Sequence, residues 1–124
     1  MDIYKELILD HYKNPRNHGH LEKPDASLEL GNPLCGDRIG MDIKILTTKC
    51  QILDTVSFWG DGCAISQSTA SMLTEKVKGM KPEEIKKIKY EDLKKMLGIE
   101  LSPARIKCAM LPLEVLQKTL DLLS

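Results

Sequence analysis

A surplus of charge of either sign is missing from this sequence: 18 Lys+Arg stand against 18 Asp+Glu, for a formal net charge of zero. Nucleic-acid binding draws on a basic excess, and the whole chain has none. Also missing is any apolar run long enough to cross a bilayer, so membrane insertion is not expected. The opening Met1-Asp-Ile-Tyr-Lys-Glu6 lacks the basic stretch followed by an apolar stretch that marks a secretory leader, which predicts a reduced, cytoplasmic chain. No internal repeat, low-complexity tract or interdomain linker interrupts the 124 residues, so one domain over 1–124 is expected. With 42% hydrophobic and 29% charged residues, the composition is that of an ordinary globular protein with one core.

What the chain does have is a simple order of elements. Ile3, Leu7, Ile8 and His11 share one helical face, with Asp2 as a cap and Asn14-Pro15 as a stop. The Arg16–Pro24 stretch, which carries His18 and His20, reads as a surface loop. Ser27–Leu30 predicts a brief strand broken by Gly31-Asn32-Pro33. Alternating Ile39, Met41, Ile43 and Ile45 predict a strand with one buried face, and Ile52–Trp59 its hairpin partner, ended by Gly60-Asp61-Gly62. Helices follow over Ala64–Lys78, from Pro82, and over Tyr90–Leu97. A last one carries Leu113, Leu116, Leu120 and Leu123, with Pro112 in its first turn, because a deeper proline would lose a hydrogen bond and clash one turn back. That start puts Cys108 next to the helix N-terminus. The fold class is α+β.

Four cysteines in a reduced chain read first as metal ligands or reactive thiols. Cys35 sits in a Gly/Pro-flanked loop. Cys63 precedes a helix and so does Cys108, and positive helix ends favour thiolate. Asp37 lies two residues from Cys35 with a glycine between, so its carboxylate can turn toward the same point. Spacing alone leaves metal ligands and inert buried cysteines equally open, since the close-set pairs of zinc ribbons and ferredoxins are absent. Gly36 and Gly62 tilt the reading toward a site, because they let backbone approach a bulky ligand. Cys50, in a predicted turn beside Lys49, stays outside the set. Lys76 to Lys95 holds eight lysines against four acids, a run that usually marks a solvated face.

Asn32-Pro-Leu-Cys-Gly-Asp-Arg38, Phe58-Trp-Gly-Asp-Gly-Cys-Ala-Ile-Ser66 and Arg105-Ile-Lys-Cys108 resemble the three signature blocks of the U-type iron–sulfur assembly proteins: IscU, SufU and the N-terminal domain of NifU. The opening Asp10-His-Tyr-Lys-Asn-Pro-Arg16 is similar to the family's start. The resemblance implies a three-stranded antiparallel sheet packed with about five helices in a single domain. It implies a metal site at Cys35, Asp37, Cys63 and Cys108 that holds a nascent 2Fe–2S cluster, iron, or a zinc ion. It also implies sulfur received as persulfide from an IscS- or SufS-like cysteine desulfurase, and cluster transfer to apo iron–sulfur proteins. Cys108 is the favoured persulfide acceptor, because a helix end after Gly98–Pro103 could swing, with Cys35 close behind.

Lys107, with Arg105 as accessory, stands where IscU and NifU carry a histidine, which is the SufU-like form. The 45-position step from Cys63 to Cys108 is short, as in IscU. Scaffold assembly and zinc-dependent sulfur transfer therefore both stay open, as does a homodimer sharing the site. Leu101-Ser-Pro-Ala-Arg105 departs from the Leu-Pro-Pro-Val-Lys stretch that docks an Hsp70-type chaperone in the IscU branch, which weakens the case for such a partner.

Overall fold

The computed structural model describes residues 3–32, 36–46 and 52–123. Cys35, Cys50 and the turn predicted over Thr47–Gln51 lie outside the described residues. The elements run α1 (Ile3–Lys13), β1 (Ala26–Asn32), β2 (Asp37–Ile45), β3 (Leu53–Asp61), α2 (Ala64–Lys76), α3 (Pro82–Lys86), α4 (Tyr90–Leu97) and α5 (Pro103–Asp121). The three strands form one antiparallel sheet in the order β1-β2-β3. The expected α+β architecture is the one observed.

Period-two alternation sends Ile39, Met41 and Ile43 of β2, with Val56 and Phe58 of β3, to one face, where all five are buried. The apolar sides of α2 and α5 close over that face. Leu73 and Val77 come from α2, and Leu113, Leu116 and Leu120 from α5. Ile85 of α3 and Leu93 of α4 complete the core at its edge. The opposite face is covered by the chain between α1 and β1. His20 packs on Trp59 with ring centroids 4.2 Å apart, and buried Asp42 accepts from the Leu21 N–H (3.0 Å) and the Ser27 hydroxyl (2.5 Å). At the outer edge of β3, His18 pairs with Phe58 and stands edge-on to its ring, and the Gly19 N–H donates to the Phe58 carbonyl. The stretch read as a free surface loop is thus pinned to the sheet.

Three sequence-based expectations change. Both strand ends run further than predicted: β1 passes Gly31 to Asn32, and β3 passes Gly60 to Asp61. Gly60 adopts φ +126° within the strand, and a Cβ there would stand 1.9 Å from the Arg38 carbonyl oxygen, so the backbones touch where a side chain cannot fit. In α1, only Ile8 of the predicted apolar face is fully buried; Ile3 and Leu7 are 75% and 38% exposed. Hydroxyls of α2 hold α1 instead. Ser68 Oγ donates to the Ile8 carbonyl at 2.7 Å, and Ser71 Oγ meets both His11 Nδ1 at 2.7 Å and the Arg16 N–H at 2.8 Å.

The third change concerns α5. It begins at Pro103, with Ser102 as its cap accepting from the Arg105 N–H, and runs straight through Pro112. Pro112 is buried with Leu111 and Leu113, so packing offsets the local cost that the sequence rule weighed alone. Cys108 consequently lies in the second turn of a 19-residue helix and not at its N-terminus. Pro112 has no N–H to give to the carbonyl one turn back, and that carbonyl belongs to Cys108.

Two predictions follow from this packing. Gly60→Ala is expected to destabilise the fold by about 3 kcal/mol or more in urea titration, from backbone strain together with the clash on β2. His11 provides a pH signature. Burial, aided by the Arg16 charge, holds its imidazole below the 6.5 of an exposed group. The unfolded chain therefore takes up a proton first, and stability is expected to fall as the pH drops below about 6.5. A urea-midpoint series between neutral and mildly acidic pH should show this slope, and His11→Gln should flatten it.

Candidate metal centre

Asp37 opens β2 and Asp61 closes β3, and the pairing of Arg38 with Asp61 brings these two strand ends side by side. From Asp61 the chain turns through Gly62 into Cys63, the N-cap of α2, whose extended backbone (φ −75°, ψ 172°) aims its N–H at the sheet. That N–H donates to Asp37 Oδ1 at 3.2 Å, while Asp37 Oδ2 stands 3.9 Å from Cys63 Sγ. α5 crosses over β1 and β2 and delivers Cys108 from above. A carboxylate oxygen of Asp37 and the sulfurs of Cys63 and Cys108 lie within 4.8 Å of one another. Asp37 and Cys108 are each only 4% exposed, and Cys63 is half-buried.

Two glycine-dependent contacts shape the pocket. A Cβ on Gly62 would stand 2.2 Å from Ser66 Oγ and 3.2 Å from the Asp37 carboxyl carbon, so the absence of a side chain lets the carboxylate lie against the turn. Ser66 is fully buried and donates to the Cys63 carbonyl at 3.1 Å. Sequence reasoning did not single out Ser66, although its position three residues after a helix N-cap is a readable sign that its N–H faces the cap.

The thiols differ. Burial pushes the Cys63 thiol up, but the N–H groups of Ser66 and Ile65 at the start of α2, with the Cys108 thiol, outweigh it and leave Cys63 below the usual thiol range. Burial pushes Cys108 up, and the Cys63 thiol and the Asp37 carboxylate beside it push the same way. The helix-end activation expected of both thiols therefore holds for Cys63 alone.

The donor set suits a metal ion. Two ligands each about 2.3 Å from one ion stand at most about 4.6 Å apart, so the observed grouping needs little closure. Two sulfurs and one oxygen match zinc or iron, and a cation would compensate a buried carboxylate that, among the described residues, meets the Cys63 N–H and the Cys63 and Cys108 thiols. Asp37, Cys63 and Cys108 could hold the ion. Cys35, predicted as the fourth ligand, lies outside the described residues. Lys107 and Arg105 are both exposed; Lys107 lines a cavity of about 290 Å³ with Asn32, Met110 and Glu114, on the β1 side of α5.

Gly62→Ala should displace the Asp37 carboxylate and Ser66 without touching a thiol. Its zinc affinity, measured by competition with a chromophoric chelator, is expected to fall by about tenfold or more, the range typical of outer-shell changes.

The chain is similar to known proteins along most of its length. The chain is 37% identical to the zinc-dependent sulfurtransferase SufU of Bacillus subtilis, covering 94% of this chain and 88% of that protein. It is 39% identical to the iron–sulfur cluster assembly scaffold protein IscU of Aquifex aeolicus, covering 91% and 71%. A crystal structure of a putative iron–sulfur cluster assembly scaffold protein for the SUF system from Fervidobacterium islandicum superposes with a TM-score of 0.78 at 25% identity, over 93% of this chain and 94% of that one. Residues 3–122 match the model of the NifU-like N terminal domain, and the chain belongs to that family.

Proposed function

We propose that this protein is a scaffold on which a 2Fe–2S cluster is assembled from ferrous iron and persulfide sulfur, with an external thiol or ferredoxin-type reductant supplying the electrons that take each persulfide sulfur to sulfide, and then surrendered to apo-proteins. The observation that carries this reading is the mixed donor set: the Asp37 carboxylate beside the Cys63 and Cys108 thiols, within 4.8 Å. Storage and electron-transfer proteins surround a cluster with four thiolates, whereas one carboxylate among three thiolates is a harder and weaker ligand for iron. Asp37 is the ligand we assign to release. Cys35 completes the set in this reading, in one chain or across a homodimer. The cluster is cargo, and the protein's own part is to present thiolates and exclude bulk water.

Sulfur arrives from a cysteine desulfurase. A thiolate of this chain attacks the outer sulfur of the desulfurase persulfide, a new S–S bond forms, and the desulfurase thiolate leaves. Cys108 was favoured for this step on the ground that it could swing. Its place inside α5, at 4% exposure, removes that ground, and Cys35 becomes the first acceptor we propose. The reaction belongs in the cytoplasm and in one domain over residues 1–124; among the described residues no helix is long and apolar enough to cross a membrane.

The similarity to the zinc-dependent sulfurtransferase of Bacillus subtilis favours a second reading, in which zinc occupies the same ligands and a freed cysteine carries sulfur onward. Lys107 in place of histidine fits that reading. Against it, the alignment with that relative runs over 133 positions, more than the 124 residues of this chain, so the relative holds residues that this chain lacks.

Anaerobic reconstitution with ferrous iron, cysteine, a desulfurase and dithiothreitol as the reductant separates the two. The scaffold predicts the visible spectrum of a 2Fe–2S centre, transferable to apo-ferredoxin, with Asp37→Cys, which supplies a fourth thiolate, slowing transfer and stabilising the bound cluster. Zinc that iron cannot displace, with no cluster spectrum and with persulfide mapped to a cysteine, would establish the sulfurtransferase instead.

A further inference from the structure

A second feature lies well away from the metal centre, at the far end of α2. Lys76 is 13 residues beyond Cys63, roughly 20 Å along the helix axis. There α2 forms one wall of an open groove, and α3 with α4 forms the other. Two cavities, of about 560 and 430 Å³, share Lys76 and Asp92 and so run into one another. The floor is apolar and soft: Met72 and Met96 under the first, Met80 and Ile88 under the second.

By formal count the rim is neutral, with Lys76, Lys87 and Lys95 against Glu75, Glu84 and Asp92. The hydrogen bonds break that symmetry. Glu84 Oε1 accepts from the Lys81 N–H at 3.0 Å and Asp92 Oδ2 from the Lys89 N–H at 2.8 Å, so both carboxylates cap their own helices. Glu75 is held by Asn17 at 3.3 Å and Lys78 at 3.7 Å. Among the described residues, the ammonium groups of Lys76, Lys87 and Lys95 have no hydrogen bond and no ion pair. The groove therefore presents three uncommitted cations above a methionine floor, while its anions are already engaged.

We infer that this groove is a docking site for an acidic amphipathic helix of a protein partner, whose apolar face lies on Met72, Met80 and Met96 and whose carboxylates meet Lys76, Lys87 and Lys95. Unbranched methionine side chains re-pack around differing apolar anchors, which suits a surface that receives a helix. A phosphate backbone would use the lysines and leave the apolar floor unpaid for, so a protein segment matches the groove better than a nucleic acid does. A partner seated here leaves the metal centre open, and the inference does not depend on which metal that centre holds.

Methyl NMR of the intact protein, with labelled methionines, reads this directly. The probe is a synthetic helical peptide of about 14 residues with glutamate along one face and leucine along the other. The methyls of Met72, Met80 and Met96 are expected to shift saturably while Met41, in the core, and Met110, on the other side of α5, stay in place. Raising the salt should weaken binding, and the Lys76→Gln/Lys87→Gln/Lys95→Gln variant should bind about tenfold less tightly. Core methyl shifts of that variant report that its fold is retained. The inference is overturned if the three methyls do not move, if a scrambled peptide of the same composition binds equally, or if duplex DNA or phosphatidylglycerol vesicles move them as strongly as the peptide.

Discussion

Burying a carboxylate beside two sulfurs is the demand around which this molecule is arranged. Asp37 is nearly sequestered, and a charged carboxylate in that position costs several kcal/mol unless donors or a cation compensate it. Among the described residues two kinds of group meet it, the Cys63 N–H and the thiols of Cys63 and Cys108. Both depend on the β2–β3 register that sets Arg38 against Asp61, on the close approach at Gly60, and on the bare turn at Gly62. A cation bound between Asp37 and the thiols would supply the rest. Pocket geometry and the proposed cluster binding are thus aspects of one electrostatic requirement.

The same strand ends and helix starts explain why the two thiols are unlike. Cys63 caps a helix, where N–H groups point at its sulfur. Cys108 is held in the second turn of α5 by the apolar residues that follow it, and by a proline that packing makes tolerable. One sulfur sits near solvent with donors around it, and the other sits deep. An assembly site benefits from that division, because an accessible group can exchange partners while a buried one keeps the metal in register.

The two ends of α2 are differently built. Its N-terminus faces the metal centre, its middle binds α1 and Arg16 through serine hydroxyls, and its C-terminal turns border the lysine-rimmed groove. The buried hydroxyls of Ser68 and Ser71 are small enough for α1 to approach closely, and each finds a partner. This leaves the apolar side of α1 largely outside, as the exposure of Ile3 and Leu7 records.

Period-two alternation from Ile39 to Ile45 was sufficient to predict β2, and the glycine and proline signals placed α2, α3 and α4 within a residue or two, because these cues are local. The motifs around Asp37, Cys63 and Cys108 likewise marked the family, and marked three residues that the fold brings within 4.8 Å of one another. Local rules misjudged the start of α5 and the inner face of α1. In both places a cost visible in the sequence is offset by contacts with residues far away in the chain: Pro112 is buried among leucines, and α1 is held through serines some 60 positions further on. The sequence by itself determined the fold class and the family. Only tertiary structure decided that Cys108 is buried and held, and which charges along α2, α3 and α4 remain uncommitted, because burial and pairing are properties of neighbours in space.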